Sequence, residues 1–596
     1  KTAYEMLRSL VGSEMCIRDS FNMVSPNLIK KKSFAKAVEI NDDTKKLFQI
    51  IYNDQTKKEE PNDSEPKIKV SELISRLSFF YEKIRNAVDY DEENLIRKNA
   101  IARILRRHVI IEGTVKDVDS EGLANYLLIE LIRGGYLPNN QIPETRIKEV
   151  AILLNKYLSL KEQLIKKINS SLGRKVDLRQ AEILVKEKNK VIRWILSIAA
   201  CEIEESLSPN KVKQMVVNNM FDVLTKEITL PKDMPYEDDL EIQIYLSIGR
   251  KYLNLDREIL SFILFKYYND DWLNLNKAQL DDEDQEKIKK IAWNIKTIRA
   301  KITEQLSHPL AKQLDKIVRR YSLYYNVLTE TISENPVKVY SELQKGENSF
   351  LNLARNTCER KYSKAKARLW RAAIRSIIYI FLTKSIFVIL IEVPAIKFFN
   401  EPINFVYLGI NVMFPAALLF LIVQLTQKPR KDNTEKIIAG IREIAFLGES
   451  KRQATVLRRS KSRSLFASVA FNLIYSAAFI FSVYIIVIAL EKLGFNWVSI
   501  LIFLFFLAFV SFFSVVVTRG VKDLMIVERR ENIGTFLVDL FYMPIILVGR
   551  WLSNKMSRLN IFVFIFDFII EAPFKILVNV AEDWTKYVRE RRDNME

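Results

Sequence analysis

Two apolar segments of the sequence carry the same short pattern of residues that could do chemistry. The stretches FVILIEVPAIK (387–397) and FDFIIEAPFK (566–575) each place a glutamate, a proline two residues later, and then a lysine. Each proline, Pro394 and Pro573, lacks an N–H and clashes with the carbonyl four residues back. A freed carbonyl beside a carboxylate could bind a cation or a proton, so the pattern raises the hypothesis of an ion site.

Three interpretations of the repeated pattern stay open at the level of sequence. Glu392 lies roughly 25 Å along a helix from the basic residues before the segment, near the far headgroups. There Pro394 would end the helix and Lys397 could reach water. In the second copy an interfacial helix would expose Glu571 and Lys575. The alternatives are a structural ion pair between the two copies and an ion pathway.

Lys384 is the charge nearest the middle of its apolar segment. It lies nine residues after Arg375 and eight before Glu392. An ammonium at that depth requires a partner, and Asp539 or Asp567 would serve. The candidate intramembrane charge network is therefore Lys384, Glu392, Asp539, Asp567, Glu571 and Lys575.

Four apolar runs predict transmembrane helices around these charges. Residues 377–399 are mostly apolar but contain three charges, whereas 403–425, 465–490 and 497–518 contain none. A span needs about 20 apolar residues to cross the hydrocarbon core. The second half of the chain is therefore predicted to be a bundle of about four spans over 376–518.

The distribution of basic residues predicts the orientation of these spans. Residues 360–375 carry seven Lys and Arg and no acid, and the loop 427–464 carries eleven against four acids. Segment 519–531 is basic again, while the turns at 400–402 and 491–496 are short and nearly neutral. This alternation is typical of a multi-pass protein with both termini in the cytoplasm, here of a bacterial inner membrane.

The loop 427–464 is predicted to contain a helix of its own. Asp432 and Glu435 have the spacing of a helix start. The predicted apolar face consists of Ile437, Ile438, Ile441, Ile444 and Ala445. The loop is also expected to dock on anionic headgroups, with candidate lipid contacts at Arg458, Arg459, Lys461 and Arg463.

The region 519–596 contains two further apolar segments, 533–551 and 559–580, whose flanks are all basic. If both crossed the membrane, the basic residues between them would lie outside, against the charge rule. We therefore predict interfacial or re-entrant helices on the cytoplasmic side. The alternative is that both segments cross, which would give six spans.

The N-terminal half is predicted to be helical. Residues 1–20 are expected to be a leader that is not part of the native protein. Residues 21–69 are expected to be flexible and to end in a charged, proline-containing linker. From residue 70 the apolar residues recur at helical spacing, for example Leu73, Ile74, Leu77, Tyr81, Ile84 and Val88. Residues 70–354 are predicted to form one or two cytoplasmic helical domains, and 355–375 a basic juxtamembrane helix. The predicted fold class is all-α.

Composition excludes several kinds of chemistry. Glycine is 15 of 596 residues, which argues against glycine-rich phosphate loops. Three cysteines and two widely spaced histidines match no metal spacing, and no nucleotide, hydrolase or zinc motif occurs. The net charge of +19 concentrates at the membrane borders, which fits anionic headgroups better than nucleic acid. We expect no cofactor.

The segments VGRWLSNKMSRLNIFVFIFDFIIEAPFK (548–575) and FLTKSIFVILIEVP (381–394) resemble a set of uncharacterised bacterial multi-pass proteins with a helical cytoplasmic half. This resemblance implies a topology and no activity. The leading hypothesis is a non-enzymatic scaffold or anchoring protein whose cytoplasmic half binds protein partners. The alternative is a transporter or channel that uses the intramembrane charges, and a third is a membrane-tethered nucleic-acid or lipid enzyme.

Overall fold

The computed structural model describes most of the chain. It covers residues 40–56, 65–88, 95–111, 119–172, 178–207, 210–426, 429–446, 455–458, 465–527 and 533–558, with five single positions beyond 579. Within these ranges the chain is almost entirely helical, with two strands of two residues each.

Twelve α-helices make up the N-terminal half, residues 40–345 of the described chain. They are α1 (Asp42–Thr56), α2 (Glu72–Val88), α3 (Ile96–Arg106), α4 (Ser120–Arg133), α5 (Thr145–Leu172), α6 (Leu178–Leu207), α7 (Lys211–Glu227), α8 (Glu237–Lys251), α9 (Arg257–Tyr267), α10 (Asp282–Leu306), α11 (Ala311–Glu334) and α12 (Pro336–Lys345). A π-helical turn (Arg107–Ile111) follows α3, strand β1 (Ile228–Thr229) follows α7, and a 3₁₀ turn (Asp270–Leu275) follows α9.

The C-terminal half begins with a 41-residue helix that leaves the N-terminal half and continues into apolar sequence. Its elements are α13 (Glu347–Phe387), a π-helical turn (Val388–Glu392), α14 (Val393–Phe398), α15 (Phe405–Leu425), α16 (Lys431–Ala445), β2 (Thr455–Val456), α17 (Leu465–Lys492), α18 (Trp497–Lys522) and α19 (Ile533–Arg558).

Four helices of the described chain are long and apolar enough to cross a membrane. We number them span 1 (the apolar end of Glu347–Phe398), span 2 (α15), span 3 (Ser468–Lys492) and span 4 (α18). The predicted helical fold with four apolar spans in the C-terminal half is confirmed.

The N-terminal half contains two apolar cores. The first is built from α3 to α6 with α9, α10 and the 3₁₀ turn, and Trp272 is fully buried in it. The second is built from α1, α7, α11, α12 and the start of α13. Helix α8 joins them, because Ile242 faces the first core and Ile244 the second.

The second core includes a helix from the membrane half of the chain. Helix α16, in the loop between spans 2 and 3, buries Ile437, Ile438, Ile441 and Ile444 against α11 and α13. Gly440 lets α16 approach closely, since a Cβ there would overlap the ring of Tyr324. The helix predicted in this loop is therefore present, and its apolar face packs on the N-terminal half.

A short parallel sheet adds a second connection from the same loop. Ile228 and Thr229 of β1 pair with Thr455 and Val456 of β2. Next to the sheet, Gln313 on α11 exchanges two hydrogen bonds with the backbone of Arg458. Because these contacts join residues more than 140 positions apart, they hold the loop on the N-terminal half.

Three local features differ from the sequence-based expectations. Within 21–69, which was expected to be flexible, α1 buries Leu47 and Ile51 in the second core. Ile68 is also held, by a hydrogen bond from its N–H to the Ile142 carbonyl. Helix α16 has Arg430 at its N-cap and no side-chain cap, so Asp432 lies inside the helix.

Helix α2 turns a different face to the core than its apolar spacing predicts. Ile74 and Tyr81 are buried as expected, but Leu77 and Ile84 are 48% and 41% exposed. The reason is Glu82, which is buried and accepts hydrogen bonds from Arg103 and from the Tyr136 hydroxyl. Since an unpaired buried carboxylate is costly, this ion pair fixes the rotation of the helix.

Helix α19 packs against spans 3 and 4. Gly549 meets the backbone of Ala508 on α18, where any Cβ would overlap the Ala508 carbonyl oxygen. On the other side the Ser482 hydroxyl of α17 donates to the Phe541 carbonyl at 3.3 Å. The predicted segment 533–551 is thus part of a helix that lies against the spans, while 559–579 lies outside the described residues.

Replacing Ile441 by alanine tests the attachment of α16. The side chain is fully buried, and such a truncation costs about 2–5 kcal/mol because it leaves a cavity. We expect faster amide hydrogen exchange in α7 and α11 of the second core and unchanged exchange in α5 and α6 of the first. Lys436→Ala, at an exposed position of the same helix, is the control. Equal exchange in both variants would show that α16 is not part of this core.

Candidate functional site

The π-helical turn in span 1 brings Lys384 and Glu392 to the same side of the helix. Residues eight apart lie roughly 80° apart around a regular α-helix, but one inserted residue brings them nearly into line. The Val393 N–H donates to the Val388 carbonyl, five residues back. The helix thereby accommodates Pro394 and continues to Phe398, so the expectation that Pro394 ends the helix is wrong.

Glu392 is fully buried where spans 1, 2 and 4 meet. Its Oε1 accepts hydrogen bonds from Asn411 Nδ2 at 2.6 Å and Ser499 Oγ at 2.7 Å. Ser499 lies in the first turn of α18, which Asn496 caps. The positive end of that helix dipole also favours a carboxylate at this position.

Lys384 is also fully buried and faces Glu392 across 3.8 Å, from Nζ to Oε2. Its Nζ lies 3.9 Å from the centre of the Phe506 ring on α18 and 5.7 Å from that of Phe387. A desolvated ammonium over an aromatic face gains about 2 kcal/mol. The charge facing Lys384 in the described structure therefore comes from its own helix.

Three polar atoms of this cluster have no hydrogen-bond partner among the described residues. They are Lys384 Nζ, Glu392 Oε2 and Asn411 Oδ1. Two of them are the charged ends of the ion pair, which is held by charge attraction and by the aromatic ring. Burying an ion pair has a desolvation cost that only partly returns as attraction, so the pair stabilises an arrangement of helices more than it adds net stability.

The groups around Glu392 determine what the cluster can do. Two donors and an ammonium surround the carboxylate, so groups of the protein already compensate its charge. Among the described residues no group of three or more His, Cys, Asp or Glu could hold a metal. A separate, largely apolar cavity of about 310 Å³ between α17 and α19 contains none of the cluster residues; it is lined by Tyr475, Ser476, Phe479, Pro544, Leu547, Val548 and Trp551.

The N-terminal half contains a buried ion pair whose two charged ends are hydrogen-bonded. Lys156 Nζ donates to Glu202 at 2.7 Å and to Asn276 at 2.5 Å. Tyr157 and Trp272 donate to the second oxygen of Glu202. Burial lowers the pKa of Lys156 below its usual value, although Glu202 opposes the shift. The two pairs therefore differ, because the charged ends of Lys156 and Glu202 share a hydrogen bond whereas those of Lys384 and Glu392 do not.

The other predicted site residues are only partly described. Asp539 lies in α19, but its side chain is outside the described set, as are Asp567, Glu571, Pro573 and Lys575. Lys397 is exposed at the end of span 1. Of the candidate lipid contacts, Arg458 is exposed, and Arg459, Lys461 and Arg463 lie outside the described residues. These assignments stay predictions.

A second polar cluster joins the N-terminal half to the end of span 4. Asn433 on α16 is buried, and its Nδ2 donates to the Tyr362 hydroxyl and the Leu524 carbonyl. Its Oδ1 accepts from the N–H groups of Ile526 and Val527. One amide thus connects α13, α16 and the segment that leaves span 4.

Sequence reasoning missed Asn411, Ser499 and Phe506 as members of the span cluster. Asn411 had a usable signal, because an amide in the middle of an uncharged apolar run requires a partner on another helix. Ser499 and Phe506 had none, since serine and phenylalanine are common throughout these spans. Asn433 was missed because nothing in a single sequence links it to residues 524–527.

Comparisons with known proteins add no identification: no family model, curated protein or solved structure matches the chain. The resemblance of segments 381–394 and 548–575 to bacterial multi-pass proteins therefore stays a prediction. Function has to be inferred from the geometry alone.

Removing one partner of the span ion pair should be more damaging than removing both. Lys384→Met leaves the Glu392 carboxylate buried and unpaired, at a cost of about 3–5 kcal/mol. Adding Glu392→Gln removes that charge and keeps an acceptor for Asn411 and Ser499. We expect the double variant to melt at a higher temperature in detergent than Lys384→Met alone. Additive losses would show that the two charges are not coupled.

Replacing Asn433 by alanine should loosen the segment after span 4. The change removes the acceptor of two backbone N–H groups, at a cost of about 1–3 kcal/mol. Amide exchange at Ile526 and Val527 should rise, and Asn352→Ala, which removes an exposed amide on α13, should leave it unchanged. If exchange does not rise, another contact holds this segment.

Proposed function

We propose that the protein is a non-enzymatic scaffold of a bacterial inner membrane whose cytoplasmic helical half binds protein partners. The observation that carries this proposal is the burial of α16, from the loop between spans 2 and 3, in the second core of the N-terminal half. Because part of its core comes from a loop between two spans, this domain is held in a fixed position relative to the spans rather than attached to them by a flexible linker.

Four separate connections hold the N-terminal half in position relative to the spans. Helix α13 runs without interruption from the second core into span 1, and α16 packs beside it. Strand β2 pairs with β1, and Asn433 holds the segment after span 4. A domain held in this way suits a protein that keeps its partners at a defined distance from the bilayer.

The contacts also support the proposed topology. The N-terminal half, the loop between spans 2 and 3 and the segment 523–527 contact one another, which is expected if all three lie on one side of the membrane. The basic residues of 360–375 and 427–464 favour the cytoplasm for that side. Both termini would then be cytoplasmic.

An exposed apolar stripe supports the binding of protein partners. On α2, Leu77, Phe80 and Ile84 recur at helical spacing and are 48%, 66% and 41% exposed. Contiguous apolar side chains in water are typical of interaction surfaces, and this spacing suits an apolar helix face of a partner.

A transporter or channel is the second candidate, and the unpartnered polar atoms around Lys384 favour it. The arrangement along α18 opposes it. A buried polar stripe of Ser511, Ser514 and Thr518 continues towards the other end of span 4. Phe506, Leu507 and Val510 lie between that stripe and the level of Ser499, so the two polar regions are separated by apolar side chains.

Site-specific crosslinking in native membranes tests the scaffold. We expect the full-length protein to give adducts of discrete mass through α2, and Leu77→Ser/Phe80→Ser/Ile84→Ser to lose them. Ile183→Ser/Val185→Ser, which removes two exposed apolar side chains on α6, should keep them. Unchanged adducts in the triple variant, or none in the wild type, would contradict the proposal.

Reconstituted vesicles separate the scaffold from the transporter. A scaffold should leave proton and potassium permeability equal to that of protein-free vesicles, both in the wild type and in Lys384→Met/Glu392→Gln, the double variant that we expect to be more stable than Lys384→Met. An ion flux in the wild type that the folded double variant lacks would establish the second candidate instead.

A further inference from the structure

A face of α13 carries basic residues where the helix enters span 1. Lys364, Arg368, Arg371 and Arg375 are exposed and follow one another at intervals of four, three and four residues. This spacing places them on one side of the helix. The opposite side packs on the protein through Leu369 and Ala373, which are buried against spans 2 and 4.

Basic residues earlier on the same helix have carboxylate partners on other helices. Arg355 pairs with Glu435, Arg360 with Glu334, and Lys361 with Glu330. Lys364 is 3.8 Å from Glu330.

The three arginines that end this face have no such carboxylate among the described residues. No acidic side chain of the described chain pairs with Arg368, Arg371 or Arg375, and the described contact of this group is a hydrogen bond from Arg375 Nε to the Arg371 carbonyl. Pairing therefore stops where the apolar sequence begins, and three guanidinium groups are left facing outward.

The same face continues as exposed apolar surface. Ile378 and Leu382 follow Arg375 at the same intervals and are 55% and 53% exposed. Trp370 lies between Arg368 and Arg371 in the sequence and packs beside Phe420 of span 2. Tryptophan is typical of a membrane interface. A ligand that covered this face would need an anionic group next to the arginines and an apolar part about 10 Å further along the helix.

We propose that Arg368, Arg371 and Arg375 bind the phosphate groups of anionic phospholipids, whose acyl chains lie along Ile378 and Leu382. Guanidinium groups suit this role because they donate paired hydrogen bonds to phosphate oxygens. The continuous apolar surface favours a lipid over a free phosphate or an acidic protein, neither of which would cover it. This inference does not depend on the proposed scaffold function.

Lipid retention measures the binding directly. The full-length protein is reconstituted in vesicles of equal phosphatidylglycerol and phosphatidylcholine, extracted in mild detergent, and weighed with its bound lipids by native mass spectrometry. We expect the wild type to retain phosphatidylglycerol over phosphatidylcholine by up to about a hundredfold, because each of the three charges contributes roughly fivefold at an anionic surface. Arg368→Gln/Arg371→Gln/Arg375→Gln should lose most of this preference.

Two further variants keep the experiment decisive. Arg368→Lys/Arg371→Lys/Arg375→Lys keeps the charge and should keep most of the preference. Lys289→Gln/Lys290→Gln/Lys296→Gln removes the same charge from exposed positions of α10 and should keep all of it. An equal loss in the α10 variant would show that net charge, not this face, selects the lipid, and would overturn the proposal.

Two other results would also overturn it. One is an absence of preference in the wild type. The other is complete displacement of phosphatidylglycerol by millimolar inorganic phosphate, which would show that the face binds any phosphate and that the apolar surface contributes nothing.

Discussion

The burial of four isoleucines from a membrane loop in the second core is the constraint on which the rest of the architecture depends. Burying one such side chain contributes about 1.5–3 kcal/mol, so the face of α16 contributes enough to hold the loop on the N-terminal half. Once that loop is held, the ends of spans 2 and 3 are held with it. The strand pair and the Asn433 cluster then form between segments that are already close.

The ion pair between Lys384 and Glu392 has a different role from the apolar contacts. Three helices contribute to it, since Asn411 comes from span 2 and Ser499 from span 4. Apolar side chains pack in several registers at similar free energy, whereas a buried carboxylate is satisfied in few. The pair therefore selects one arrangement of the spans among several. The π-helical turn is the local distortion that aligns its two charges.

Length and apolar composition were enough to predict the four spans, because crossing a bilayer requires about 20 apolar residues whatever the neighbours are. The helix in the loop was likewise evident from the spacing of its isoleucines. Its partner was not, because periodicity shows that a face is apolar without showing what covers it. On α2 the apolar spacing misassigned Leu77 and Ile84, since a buried ion pair at Glu82 outweighed it. The partner of Lys384 was missed for a related reason: eight residues apart is an unfavourable spacing until one helical turn contains an extra residue.

The composition of the second core imposes an order on biosynthesis. That core takes residues from Leu47 to Leu457, so α1, α7 and α11 leave the ribosome long before α16 exists. The first core uses only residues 68–306 and can form as soon as they emerge, because domains fold from the N-terminus during synthesis. The second cannot be completed until α16, which follows spans 1 and 2 in the chain, has been synthesised. The apolar surface that α16 covers therefore stays open while the two apolar helices before it are made.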